Sequence, residues 1–69
     1  TSLIAILETM ILDTQLDAKK SAELLYLHRN TIYYRIKKIQ TLLGYDPFSE
    51  PGITILSLSL ALRRILQTQ

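Results

Sequence analysis

Apolar residues recur along the first part of the chain at the spacing of an amphipathic helix. Between Ser2 and Asp13 they stand at positions i, i+3, i+4, i+7 and i+8, which places them on one helix face. These residues are Leu3, Ile6, Leu7, Met10 and Ile11. Ser2 lies where its hydroxyl can accept a hydrogen bond from the first turn, so the pattern predicts a first helix over residues 2–13.

Two further helices are predicted on either side of a short break at Leu27 and His28. The second begins at Asp17, whose short carboxylate can accept from the free amides of the first turn, and ends near Tyr26. The third ends at Gly44, because glycine readily adopts the left-handed conformation that terminates helices. Its apolar stripe consists of Ile32, Ile36, Ile39 and Leu43.

The residues that break helices are confined to one connector. Both glycines and both prolines lie between Gly44 and Gly52, and Phe48 is expected to fill the core from this loop. A last helix is predicted from about Pro51 to Gln67. Four helical patterns and no strand pattern predict an all-α fold, a small bundle of four to five helices without a wing or strands.

The last helix carries two apolar stripes on nearly opposite sides, at about 100° per residue. One stripe comprises Ile55, Leu58, Leu62 and Ile65, and the other comprises Ile53, Leu56 and Leu60. A core this small cannot cover both stripes, and a second apolar surface usually marks contact with a partner. We expect Ile53, Leu56 and Leu60 to form an interface, either with a second copy in a homodimer or with an upstream region of a longer protein.

The length and composition limit the class of protein. A chain of 69 residues with 48% hydrophobic content can form one small domain, which we expect to span residues 1–69. The sequence has no cysteine, no signal peptide and no apolar run long enough to cross a membrane, so we expect a cytoplasmic domain without a membrane partner. It also has no Gly-rich phosphate loop, no metal-ligand cluster and no catalytic triad spacing, so we expect neither an enzyme nor a metal or cofactor site.

The net charge of +2 is distributed unevenly. From His28 to Thr41 there are four cations and no acid, which gives this stretch a charge of +4. The remaining four cations are set against all six acids, so the rest of the chain carries −2. A basic face on a nearly neutral domain favours a polyanionic partner.

The second and third helices, with the short connection between them, have the spacing of a helix-turn-helix unit. Such a unit is held together by a small residue inside its first helix and by apolar residues in the turn and in its second helix. Ala22, Leu25, Leu27, Ile32 and Ile36 fill these positions. Tyr26 stands in the turn where many such units have glycine.

The third helix, about residues 29–43, is therefore predicted to lie in the major groove of DNA. Its outer face is polar, basic and aromatic, and asparagine, threonine and lysine side chains there can reach base edges or phosphates. We expect the base contacts to come from Asn30, Thr31, Tyr34 and Arg35. We expect the phosphate contacts, which position the protein without reading sequence, to come from Lys19, Lys20, His28, Arg29, Lys37 and Lys38.

The stretch from Ser21 to Ile39, and above all HRNTIYYRIKKI at residues 28–39, closely resembles the C-terminal helix-turn-helix domain of PucR-type regulators, which include the CdaR-like sugar-diacid regulators. The resemblance covers residues 17–66 and extends to the sequence LGYDP at residues 43–47. It implies a bacterial transcription regulator in which this domain binds double-stranded promoter DNA and an upstream sensory region responds to a signal. It also implies that the chain is the C-terminal fragment of a longer protein, consistent with its start at Thr1. Leu24 departs from the family pattern, which more often has a polar or small residue there.

The same match places the start of the third helix in the recognition region of the family. The matched residues are His28, Arg29, Asn30, Thr31, Tyr34 and Arg35.

Several of these side chains also have a purely structural interpretation. His28 stands where a helix N-cap belongs, and we favour that role over a catalytic or ligand-binding one. Tyr33 lies nearer the apolar stripe than Tyr34, so we expect it to pack in the core. Arg63 and Arg64 are interpreted as structural, because cations in the last turns of a helix interact favourably with its dipole.

Two other functions compete with DNA binding. The main alternative is a helical protein–protein interaction module that uses the second apolar face of the last helix, with the basic face serving only solubility. RNA binding is a weaker alternative, because side chains cannot easily enter the narrow major groove of an RNA helix.

Overall fold

The computed structural model describes residues 2–68, and within that range it contains four α-helices, one π-helical segment and no strand. The elements are α1 (Leu3–Glu8), a π-helical segment that continues it (Thr9–Asp13), α2 (Ala18–Leu25), α3 (Arg29–Leu43) and α4 (Gly52–Gln67). The predicted all-α fold is confirmed. The predicted domain of residues 1–69 extends beyond the described residues by one position at each end.

The predicted helix ends are stabilised by local hydrogen bonds. The backbone N–H of Ala5 donates to Ser2 Oγ at 3.1 Å, and that of Lys20 donates to Asp17 Oδ1 at 3.0 Å. Each bond satisfies an amide that the first turn of a helix leaves without a backbone partner. At the other end of α3, Gly44 adopts the left-handed conformation with φ of 78°, as its sequence position predicts.

The first helix widens into a π-helical turn, a feature that its apolar spacing does not reveal. The N–H of Thr14 donates to the carbonyl of Thr9 at 3.0 Å, five residues earlier. The buried hydroxyl of Ser21 donates to Met10 Sδ at 3.0 Å and lies 2.8 Å from Thr14 Oγ1. Because Ser21 has one hydroxyl proton, Thr14 is the donor in that second bond. This buried polar chain joins the end of the first helix to α2.

The hydrophobic core lies between α1, α2 and α3. Helices α1 and α2 both pack against α3, and the π-helical segment packs against α2 and α4. The buried apolar residues are Ile6, Leu7, Met10, Ala18, Ala22, Ile32, Ile36, Ile39 and Leu60. Three of the four predicted stripe residues of α3 are thus buried, while Leu43 lies at the exposed edge.

The connector after α3 packs as predicted. Asp46 Oδ1 accepts a hydrogen bond from the N–H of Phe48 at 2.9 Å, which forms a turn typical of Asp and Asn. Phe48 packs against the core from this loop. At Gly52 an added Cβ would lie 2.8 Å from the ring of Tyr45, so a side chain here would displace the ring.

The structure reverses the two predicted faces of the last helix. Leu60 is only 7% exposed and belongs to the core, Leu56 packs against it, and Ile53 is half-buried. The predicted interface is therefore wrong at Leu60 and Leu56, whose side chains pack within the domain, and it stays a prediction at Ile53. The other stripe lies on the outside, because Ile55, Leu58, Leu62 and Ile65 are each more than half exposed.

Arg64 provides a physical reason for this orientation of α4. It lies one turn after Leu60, on the same helix face. Its Nε donates to Glu8 Oε1 at 2.8 Å, and its two terminal nitrogens donate to the carboxylate oxygens of Asp13 at 2.9 and 3.0 Å. These bonds connect the last turns of α4 to both ends of the π-helical segment. The prediction of a structural role for Arg64 is confirmed by this ion-pair network.

No helix in residues 2–68 is both long enough and apolar enough to cross a lipid bilayer.

We predict that Arg64→Gln lowers the midpoint of thermal unfolding at neutral pH. The hydrogen bonds from Arg64 hold the pKa of Asp13 below its ordinary value of 3.8, despite a smaller opposing effect of burial. A carboxyl whose pKa is lower in the folded state stabilises the fold above its unfolded-state pKa. That contribution is lost as the pH falls through the folded-state value. The difference between wild type and variant should therefore be complete at pH 7 and shrink below about pH 3.8.

Arg63→Gln is the matched control. Arg63 reaches Glu8 only at 3.8 Å, a separation at which exposed ion pairs contribute little. Thermal melts followed by circular dichroism at pH 7 and at low pH test both variants. Equal losses for the two variants at pH 7 would show that the Arg64 network does not stabilise this orientation of α4.

Candidate nucleic-acid interface

The turn between α2 and α3 is closed by two backbone hydrogen bonds. The N–H of Leu27 donates to the carbonyl of Ala22 at 2.9 Å, and that of Tyr26 donates to the carbonyl of Glu23 at 3.4 Å. This pair of bonds defines the Schellman motif, in which the residue after the helix is left-handed. The motif fixes the angle at which the chain leaves α2 and enters α3.

Tyr26 occupies the left-handed position, with φ of 56° and ψ of 41°. Its side chain is 95% exposed, so packing does not offset the cost of this conformation for a residue with a Cβ. The left-handed backbone conformation therefore explains why many helix-turn-helix units have glycine at this position. The hydrogen bonds of the motif hold the turn in shape without glycine.

His28 caps the start of α3, as predicted. Its Nδ1 accepts from the N–H of Asn30 at 3.1 Å. For Nδ1 to accept, the ring proton must lie on Nε2, which is then a donor. The same side chain can therefore stabilise the helix through one nitrogen and donate to a phosphate oxygen through the other.

The four residues predicted to contact bases come together on the surface of α3. Asn30, Thr31, Tyr34 and Arg35 line one open hollow, together with Lys38. Ser2 and Leu3, at the start of α1, also line it. Sequence reasoning missed these two residues, because no pattern within α1 indicates that its first turn lies beside α3.

The predicted phosphate contacts flank this hollow on two sides. Towards the end of α3, Lys37 and Lys38 line a second hollow with Tyr34 and Thr41. The hydroxyl of Thr41 donates to the carbonyl of Lys37 at 3.1 Å. Both lysines are exposed, as a phosphate contact requires.

A third hollow joins the two helices of the motif. Lys19 from α2 lines it together with His28 and Arg29. Glu23 also lies on its wall and is the one acid of the hollow. Lys20 is exposed on α2 but lines none of the three hollows.

The exposed fractions of the Tyr33 and Tyr34 side chains differ less than their sequence positions predict. The prediction that Tyr33 packs in the core is wrong, since it is 55% exposed, while Tyr34 is 71% exposed. The buried residues of α3 are limited to Ile32, Ile36 and Ile39. A residue next to that stripe therefore stays at the edge of the core.

The residues of α3 give its outer face a positive charge. No acid lies on α3, and its outer face presents Arg29, Lys37 and Lys38. Glu8 and Asp13 are engaged by Arg64 at another part of the domain. The positive potential of α3 is therefore not neutralised by neighbouring carboxylates on the same helix.

Comparisons with known proteins agree with this geometry. Residues 3–63 match the family model described as the PucR C-terminal helix-turn-helix domain. Over 59 residues, which are 84% of this chain, the sequence is 36% identical to the purine catabolism regulatory protein of Bacillus subtilis (strain 168). The matched region is 11% of that relative, so the chain spans about a ninth of its length. No solved structure matches the chain.

We predict that Tyr26→Gly raises the free energy of unfolding by about 0.5–1 kcal/mol, because glycine removes the left-handed strain but loses more backbone entropy on folding. The measurement is chemical denaturation followed by circular dichroism. Tyr26→Ala is the matched control, since it removes the same ring but keeps the strain. If alanine stabilised the domain as much as glycine, the side chain and not the backbone would be the source of the effect.

Proposed function

Because the chain belongs to the family of PucR C-terminal helix-turn-helix domains, we propose that it binds double-stranded promoter DNA in a sequence-specific way. In this proposal α3 lies in the major groove, and the domain serves a bacterial transcription regulator. The family is that of a regulator's helix-turn-helix domain, not of a catalytic domain.

The outer face of α3 is the observation that carries the proposal. It brings one amide, two hydroxyl groups and a guanidinium into a single open hollow, through Asn30, Thr31, Tyr34 and Arg35. An asparagine can pair with adenine through two hydrogen bonds, and an arginine can pair with guanine in the same way. These residues lie in the first half of α3, the part of a recognition helix that contacts base edges.

The flanking cations support a phosphate-binding role on both sides of that hollow. Lys19, His28 and Arg29 lie together near the start of α3, and Lys37 and Lys38 lie towards its end. Phosphate contacts at two separated places fix the orientation of a helix in the groove while the bases are read between them. Lys20 is also exposed on α2 and would add a further phosphate contact.

RNA is a poorer fit to this surface. The proposed base contacts all lie on one α-helix, and side chains cannot read bases in the deep, narrow major groove of duplex RNA. The wider major groove of B-DNA instead admits an α-helix such as α3.

The larger assembly belongs to the proposal as well. We propose that the domain is the C-terminal part of a longer cytoplasmic regulator, with a sensory region upstream, because the matched relative is far longer than this chain. Paired half-sites on DNA call for association with a second copy or for docking to the upstream region. Leu60 lies in the core and Leu56 packs against it, so these two side chains are not available for that contact.

We predict distinct losses for a base-contact and a phosphate-contact variant. Asn30→Ala should reduce the preference for a promoter duplex over a scrambled duplex by about 1–3 kcal/mol. Lys38→Ala should weaken both duplexes alike and lower the slope of log K against log salt by about one. Fluorescence anisotropy of the domain with a duplex from the promoter of its own operon, at several salt concentrations, measures both quantities.

Arg63→Gln is the control for a change in charge, because Arg63 lies on α4, outside the basic surface. It should leave the salt slope unchanged. Equal affinity of the wild-type domain for the promoter and scrambled duplexes would contradict sequence-specific binding. An unchanged salt slope in Lys38→Ala would contradict the proposed orientation of α3.

A further inference from the structure

The exposed side of α4 forms an apolar surface that the rest of the domain leaves uncovered. We define the outer face of α4 as Ile55, Leu58, Leu62, Ile65 and Leu66. Each of these side chains is more than half exposed. A contiguous apolar surface of several large side chains on a small domain marks a contact site.

The spacing along this face is that of a helix seam. Ile55, Leu58, Leu62 and Ile65 follow one another at intervals of three, four and three residues. These are the intervals of the a and d positions of a heptad repeat, at which two helices pack side by side. The spacing therefore favours a second helix, rather than a loop, as the contact of this face.

We propose that the outer face of α4 packs against the same face of a second copy of this chain, so that the domain forms a two-fold symmetric dimer. An identical partner matches the spacing of the seam by construction, since the same patch serves both sides of a two-fold interface. The inference extends the proposed function by naming a partner and a surface. The association itself does not require DNA.

The charges around the seam favour an identical partner. Within α4 the residues that flank it at the neighbouring heptad positions are Thr54, Ser59, Ala61 and Leu66, none of which is charged. Two copies can therefore approach each other without repulsion between like charges at these positions. In other interfaces such repulsion disfavours wrong pairings. Arg64 does not disturb the seam, because its guanidinium is engaged by Glu8 and Asp13 on the opposite side of α4.

The size of the face is sufficient for a weak, specific interface. Five large aliphatic side chains on each of two copies would remove on the order of 1,000 Å² from water, near the lower limit for a specific contact. The seam extends over only two heptads, so we expect dissociation at micromolar concentrations rather than a permanent dimer. Such a dimer presents two α3 helices, which fits DNA sites made of two half-sites.

Sedimentation velocity of the chain between about 5 and 500 µM tests the proposal, because dimerisation responds to concentration by mass action. The expected result for the wild-type chain is a shift from its monomer mass of 7.9 kDa towards twice that mass. The double variant Leu58→Gln with Leu62→Gln should remain monomeric over the whole range. Glutamine keeps a high helix propensity at both exposed positions, so the variant should retain the helical circular dichroism of the wild type.

Leu42→Gln is the matched control. Leu42 lies on α3, outside the seam, and is 68% exposed compared with 70% for Leu58. It should dimerise like the wild type. The single variant Leu62→Gln, with an intermediate loss of affinity expected, keeps the test valid if the double variant loses helical signal.

Three outcomes would overturn the proposal. A wild-type chain that stays monomeric at the highest concentration would assign the outer face of α4 to a segment outside this chain. Association that persists unchanged in the Leu62→Gln and double variants would place the contact elsewhere. Open-ended growth beyond a dimer would exclude the two-fold arrangement. None of these results depends on DNA, so the dimer and the proposed DNA binding can fail separately.

Discussion

The burial of one isoleucine stripe on α3 is the constraint on which the rest of the domain depends. Ile32, Ile36 and Ile39 are covered by α1 and α2, and deleting a side chain at such a site leaves a cavity that costs a small domain much of its stability. Because a helix has a fixed geometry, burying this side presents the opposite side of α3 outwards. The polar and basic character of that exposed side is therefore a consequence of core packing together with the sequence.

Much of this architecture could be predicted from periodicity and capping residues. Asp17, His28 and Gly44 have short-range roles that depend only on their neighbours in sequence, and each was found at the predicted helix end. The π-helical turn was not predictable in this way. Met10 and Thr14 contact Ser21 of α2 at this turn, and such a contact between separate segments leaves no periodic signal in either one.

The orientation of α4 shows why one apolar helix can be interpreted in two ways. Two stripes of similar size satisfy the helical period equally well, so hydrophobicity alone does not decide which one is buried. A polar contact distinguishes the two stripes. Arg64 shares a helix face with Leu60, and its guanidinium donates to Glu8 and Asp13 across the domain. The sequence contained a signal for this choice, because only the stripe of Leu60 continues into a residue able to pair with the acids of the first helix.

The result is a domain with two exposed surfaces of different physical character. The outer face of α3 is basic, and its interactions with a polyanion weaken as salt screens charge and competes for the phosphates. The outer face of α4 has no charge, so its association depends on removing apolar surface from water and is largely insensitive to moderate salt. A dimer formed through α4 would therefore remain assembled at salt concentrations that release DNA. Binding to DNA and association of the chains would then respond to different conditions, because they use different helices and different forces.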